Sequence, residues 1–163
     1  MNMGTQANET IYQLVSFVVE NEEFGVDILK VQEIIRTVEI TRVPKSPAFV
    51  EGVINLRGKI VPVIDLRKRF GIEKKAYDNE TRIIVVELTD KVVGFLVDMV
   101  KEVIRVEKSV IEPPPELTMN VNANYITGVA KLQDSLLILL DLDKVLSVEE
   151  QEHLSEVGTE KVS

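Results

Sequence analysis

Phe49–Gly71 reads FVEGVINLRGKIVPVIDLRKRFG, and Tyr125–Ser147 reads YITGVAKLQDSLLILLDLDKVLS. Set over each other at a constant offset of 76, they share Gly52/Gly128, Val53/Val129, Leu56/Leu132, Asp65/Asp141, Leu66/Leu142 and Lys68/Lys144. Upstream the echo continues at an offset of 69, through Gly25/Gly94, Val31/Val100, Glu33/Glu102, Ile35/Ile104, Arg36/Arg105 and Pro44/Pro113. The step from 69 to 76 puts a seven-residue insertion inside PPPELTMNVNAN, Pro113–Asn124. One unit of about seventy residues is therefore written twice, and two copies of one scaffold let function be read as the difference between them.

Each copy reads as short strands joined by turns. In the first, Ile11–Glu20 and Phe24–Ile28 are strands by their β-branched and aromatic content. Ile28, Val31, Ile34 and Ile35 then fall at helical spacing behind Asp27, a capping residue, so a helical turn or two is expected there. Glu51–Arg57 and Lys59–Asp65 form a hairpin about Gly58, and Asp65–Gly71 has the front cap and closing glycine of a short helix. The second copy repeats the order with Thr81–Leu88, Lys91–Val97, Val100–Val106, Tyr125–Lys131, Ser135–Asp141 and a short helix.

Close-set strands without long helices, in two copies, point to a pair of small SH3-like or OB-like barrels, a mainly β fold. Ile60–Ile64 and Leu136–Leu140 sharpen this, because both are continuously apolar. A lone small barrel wets its outer face and its strands alternate, so these strands must be covered on both sides. Either the two barrels lie against each other, or some outer surface awaits a partner. Pro62 inside one such run demands an edge position or a bulge, since it has no N–H to donate. Residues 1–10 read as a disordered lead. Copy one spans about 11–78, copy two about 80–147, and residues 148–163 hold a charged helix over Val148–Val157 and a tail.

Several function classes fall away. The 163 residues carry a formal net charge of −8, and phosphate neutralisation needs a basic stripe, so nucleic acid is not expected as a partner. Arg67-Lys68-Arg69 and Lys74-Lys75 read as solvated surface. No cysteine is present, which removes disulfides and thiolate chemistry. The N-terminus has no secretory pattern, and no apolar run nears the roughly 18 residues of a membrane helix, so a cytoplasmic protein is expected.

Nucleophile-base pairs, phosphate-binding glycine loops and zinc-ligand motifs are missing, so no catalytic residue, metal or cofactor is expected. The single histidine, His153, sits in the polar stretch EEQEHLSEV. Asp141-Leu-Asp143 and Glu149-Glu150 supply carboxylates, but acidic residues at helix starts are explained by capping and the dipole alone.

Comparison of the copies then separates scaffold from task. Gly52 and Gly128 share a position and hence a backbone need, either a bulge or a close approach. Asp65 and Asp141 read as shared helix caps. The turn tips differ: Asn55-Leu56-Arg57-Gly58-Lys59 stands against Lys131-Leu132-Gln133-Asp134-Ser135. Arg57 has no basic counterpart, so it is a candidate for work that only one half does. A structural salt bridge, to Glu33 for example, is the other reading, and the two are compatible.

The stretch FVEGVINLRGKIVPVIDLR, Phe49–Arg67, resembles the hallmark segment of the CheW family, the bacterial chemotaxis coupling proteins. DILKVQEII, Asp27–Ile35, resembles its companion segment, and the likeness runs from about Ile11 to Leu146. No further domain is expected beside it, unlike in CheA and CheV. The resemblance implies two intertwined five-stranded barrels and no catalysis. It implies partnership with the regulatory domain of the CheA histidine kinase and the cytoplasmic tips of chemoreceptors. Its receptor-facing surface would fall on Val31, Glu33, Gly52 and Arg57, with recruitment to membrane-anchored receptor arrays.

Overall fold

The computed structural model describes residues 10–88, 91–114, 125–146 and 150. Strands β1 (Ile11–Val19) and β2 (Glu22–Asp27) form the first hairpin, followed by β3 (Val31–Arg36). Hairpin β4 (Val50–Leu56) and β5 (Lys59–Asp65) leads into helix α1 (Leu66–Arg69). The second copy supplies β6 (Arg82–Leu88), β7 (Lys91–Val97), β8 (Met99–Glu107), the two-residue β9 (Ile111–Glu112), β10 (Ile126–Lys131), β11 (Leu136–Leu140) and helix α2 (Leu142–Val145).

These strands make two sheets, one in the order β3-β6-β7-β5-β4 and one in the order β8-β1-β2-β11-β10-β9. The hairpin that opens each copy is thus completed in the sheet built mainly by the other. Both exchanged hairpins join by the same device, a short parallel pairing at a glycine: Val63 opposite Gly94, and Leu139 opposite Gly25. The second sheet carries a sixth strand, the short β9, where five were expected. In the first sheet the isolated bridge between Thr41 and Val53 stands in its place.

Among the described residues three main apolar cores result, with a small fourth at Val43 and Val53. Ile54, Val61, Val63, Ile83, Val85 and Leu96 fill the first barrel, and Leu14, Val106, Ala130, Leu137 and Leu139 fill the second. A larger cluster between the sheets takes Val15, Phe17, Phe24, Ile64, Phe95 and Leu140, among others. Alternate residues of β5 and β11 therefore enter different cores, and continuous apolar sequence follows directly. Each buried aliphatic side chain contributes about 1.5–3 kcal/mol. Phe17, Phe24, Phe70 and Tyr125 run in sequence through the central core, with ring centroids 5.7, 5.3 and 5.7 Å apart.

Local chemistry explains the remaining elements. Only Ile28–Lys30 of the expected helical stretch is helical, a single 3-10 turn whose first free N–H, on Leu29, goes to Asp27 Oδ1 at 2.9 Å. Beyond it the β-branched run pairs with β6, because the sheet offers a ladder that an isolated turn does not. Asp65 and Asp141 accept from the N–H groups of Arg67 and Asp143 at 2.9 and 3.0 Å, starting α1 and α2. Pro62 lies opposite Val53, whose N–H and C=O are both bonded to Thr41. That pair is a non-hydrogen-bonded one, so the missing N–H costs the hairpin nothing. The lead before Thr10, most of the insertion 113–124 and the Val148–Val157 helix, Glu150 apart, lie outside the described residues.

Both Gly52 and Gly128 sit at a register shift and a close approach together. A Cβ at Gly52 would lie 2.5 Å from the carbonyl oxygen of Thr41, and one at Gly128 would lie 2.6 Å from Ile111 Cγ2. Gly52→Ala is therefore expected to cost about 1–3 kcal/mol through backbone displacement. Gly58→Ala, with open space but φ of +86°, should cost only about 1 kcal/mol. Urea midpoints at unchanged slope read both, and a Gly52→Ala midpoint equal to that of the parent contradicts the packing argument.

Candidate functional site

The tip of the β4–β5 hairpin is a two-residue turn with positive φ at both positions, Arg57 at 52° and Gly58 at 86°. Such turns match the twist of their strands but favour asparagine or glycine at the first position. An arginine there is uncommon. Asn55 Oδ1 accepts the Gly58 N–H at 2.8 Å and locks the turn. At the other tip the Leu132 N–H donates to the Ser135 carbonyl at 2.8 Å, and neither Gln133 nor Asp134 has positive φ. The copies thus differ in backbone as well as in side chain.

Arg57 grips Glu33 with both guanidinium amino groups, Nη1 donating to Oε1 at 3.2 Å and Nη2 to Oε2. Glu33 stands on β3, at the opposite edge of the five-stranded sheet from β4. Flat, those edges would be about 19 Å apart, so the ion pair spans the mouth of a curled barrel. The guanidinium is 71% exposed while Glu33 is 27% exposed. A pair this wet is screened, so it contributes position more than stability. The guanidinium holds the Glu33 carboxyl below its usual range, and Glu33 raises Arg57 in turn.

Val31, beside the register shift of β3, is half-buried against the central core. Ile34 on the same strand is partly exposed, and Leu29, in the turn before it, is 88% exposed. Gly52 is buried and offers no contact surface; its part is to let the Thr41 backbone close on β4. Of the four residues singled out for this surface, Glu33 and Arg57 touch. Val31 flanks them on β3, and Gly52 shapes the hairpin from below.

A second constellation joins the barrels. Arg67 on α1 donates to Asp98 through Nε at 2.8 Å and Nη2 at 2.7 Å. Its Nη2 also lies 2.9 Å from Glu20 Oε2, and its Nη1 donates to the Glu73 carbonyl at 2.8 Å. Asp98 stands at the crossover from β7 to β8, between the sheets, and its Oδ2 accepts the Glu20 N–H at 2.8 Å. The equivalent junction has a pair of reversed polarity: Asp143, counterpart of Arg67, pairs at 2.8 Å with Lys30, one residue past Leu29, the counterpart of Asp98. The sequence reading treated Arg67 as solvated surface, yet the same copy-to-copy comparison that marked Arg57 also marks Arg67 against Asp143. Among the described residues no group of three or more His, Cys, Asp or Glu is placed to hold a metal ion.

The family model for the CheW-like domain matches residues 13–150. The chain belongs to the CheW family. It is 44% identical over 145 residues to the chemotaxis protein CheW of Klebsiella aerogenes, covering 88% of this chain and 87% of that protein. The chemotaxis protein CheW of Thermotoga maritima is 38% identical over 140 residues, covering 83% of this chain and 87% of that one. The crystal structure of the scaffolding protein TtCheW from Thermoanaerobacter tengcongensis superposes with a TM-score of 0.78 at 42% identity, covering 85% of this chain and 94% of the other. Membership in this family agrees with the two β sheets. Among the described residues no helix is long and apolar enough to cross a membrane.

Asp98 reports on the inter-barrel clamp. Burial pushes its carboxyl upward, but Arg67 and the Glu20 N–H outweigh burial and hold it below the usual range. Its stabilising contribution is therefore full above the unfolded-state pKa of about 3.9 and is lost as pH falls through the lower folded value. Asp98→Asn is expected to cost about 1–3 kcal/mol at neutral pH. The difference from the parent should shrink below about pH 4. Denaturant unfolding across that range measures it, and a gap that persists unchanged into acid contradicts the assignment.

Proposed function

We propose that the chain is a non-enzymatic adaptor that couples the cytoplasmic tips of chemoreceptors to the regulatory domain of the CheA histidine kinase. It would work in the cytoplasm, recruited to membrane-anchored receptor arrays. Membership in the CheW family supports this reading. The observation that carries it is the Glu33–Arg57 pair, an arginine held in an uncommon backbone conformation at the exposed mouth of one barrel and absent from the duplicate. A structural bridge alone would not demand such a turn, and backbone strain at an exposed tip is a mark of function.

Receptor contact would use Arg57 and Glu33 as the polar centre, with Val31 and the close-packed backbone at Gly52 setting the shape beneath. The guanidinium, fixed on one side by Glu33, keeps donors free for a carboxylate or helix-end carbonyl of the partner. Such a contact is of modest size, below roughly 1,200 Å², and many copies in an array supply avidity. The output is geometry and occupancy: two partners held at once by a rigid double barrel.

Arg57→Glu is expected to weaken binding to a receptor-tip fragment by about tenfold or more. Affinity for the kinase regulatory domain should stay unchanged. The charge-exchanged pair, Glu33→Arg with Arg57→Glu, should regain thermal stability without regaining receptor binding. Unaltered receptor affinity in folded Arg57→Glu removes Arg57 from the site.

A further inference from the structure

Leu56 and Lys59 are the last paired residues of the β4–β5 hairpin, so the Gly58 N–H falls inside the loop, beyond the ladder. The Asn55 side chain takes it, Oδ1 accepting at 2.8 Å. That N–H belongs to the planar peptide joining Arg57 to Gly58. Holding the plane holds the torsion on each side of it, ψ of Arg57 and φ of Gly58. A left-handed backbone is unfavourable for arginine, and the hydrogen bond from its neighbour but one offsets that cost.

The duplicate serves as a control. The two tips align without a gap and share a leucine, Leu56 and Leu132. At the position of Asn55 stands Lys131, whose side chain has no acceptor. Its ammonium lies 3.1 Å from Glu112 Oε2 on β9. Neither Gln133 nor Asp134 beyond it has positive φ. Asparagine and left-handed turn thus occur together in one copy and are missing together from the other. Gly58 permits the turn but does not hold it, since glycine takes either sign of φ about as readily. The preference comes from Asn55.

Arg57 is therefore fixed at both ends, its backbone by Asn55 and its guanidinium by Glu33. The angle at which its side chain leaves the tip follows from the backbone, and a long side chain enlarges any change at its far end. We propose that Asn55 is the positioning residue for Arg57 in receptor contact. It sets the peptide from which the guanidinium is presented at the barrel mouth, and it does not itself touch the partner. This rests on the receptor reading of Arg57 and adds what that reading lacks, the group that keeps the arginine in its uncommon conformation. Asn55 is exposed, so removing its amide leaves the cores untouched.

The test measures affinity of the full chain for a receptor-tip fragment in a double-mutant cycle, with amide exchange of Gly58 followed in the free protein. Asn55→Ala is expected to speed Gly58 exchange and to weaken receptor binding roughly fivefold, the scale of one net hydrogen bond. Asn55→Asp keeps an acceptor in place and should restore both. In an Arg57→Ala background, Asn55→Ala should cost nothing further, because a positioning residue has nothing left to position. Unchanged binding in Asn55→Ala, with Arg57→Ala impaired, overturns the role of Asn55 and leaves the receptor reading standing. An equal loss with and without Arg57 overturns it as well, as does an Asn55→Asp variant as weak as Asn55→Ala. Unchanged binding in Arg57→Ala removes the receptor reading and this inference with it.

Discussion

Strand β5 buries both of its faces, and a single small barrel leaves no room for that. Val61 and Val63 enter the core of the first barrel while Ile64 enters the core between the sheets. Strand β11 does the same on the other side with Leu137, Leu139 and Leu140. Neither barrel is thus complete without the other, because each would expose a wall of aliphatic side chains to water. The exchange of opening hairpins follows from this demand. Moving β1–β2 and β6–β7 across the junction gives the central core two walls from each copy, so that it is continuous in chain as well as in space.

On that shared frame the copies have diverged at the rims, where packing does not dictate the residue. One tip keeps an arginine in a backbone conformation that arginine seldom adopts, and the other holds an ordinary turn. One crossover is clamped by the well-shielded Arg67–Asp98 pair, and the other by the wetter Lys30–Asp143 pair of reversed sign. Duplication makes such changes cheap, since the second copy continues to supply the fold. The asymmetric features therefore separate what each half does alone from the scaffold that both share.

The doubled architecture was legible in outline because glycines, caps and apolar runs recur at constant spacing. Gly52 and Gly128 were marked by position, and each needs its missing Cβ for a neighbouring segment to approach. Arg57 and Glu33 were joined correctly, since one arginine without a duplicate invites a search for its partner. Arg67 was misjudged as surface. Its role depends on Asp98 and Glu20, distant in sequence and brought together only where three elements meet. Glu51 went unnoticed for the same reason, as three of its partners arrive from α1 and the stretch that follows it. The stretch after Ile28 was read as more helical than it is because hydrophobic spacing there fits both periods.

By itself the amino-acid sequence determined the strand content, the repeat, the hairpin turns, the helix caps and the need for a covered outer face. Those are properties of neighbours in the chain: side-chain branching, glycine, proline and apolar spacing act within a few residues. Only the tertiary structure decided which copy completes which sheet and which charges clamp the junction. Hydrogen-bonding edges are chemically alike in both copies, so local preference cannot choose between them. The choice falls to the summed burial of the cores, a quantity that exists only once the chain has closed on itself.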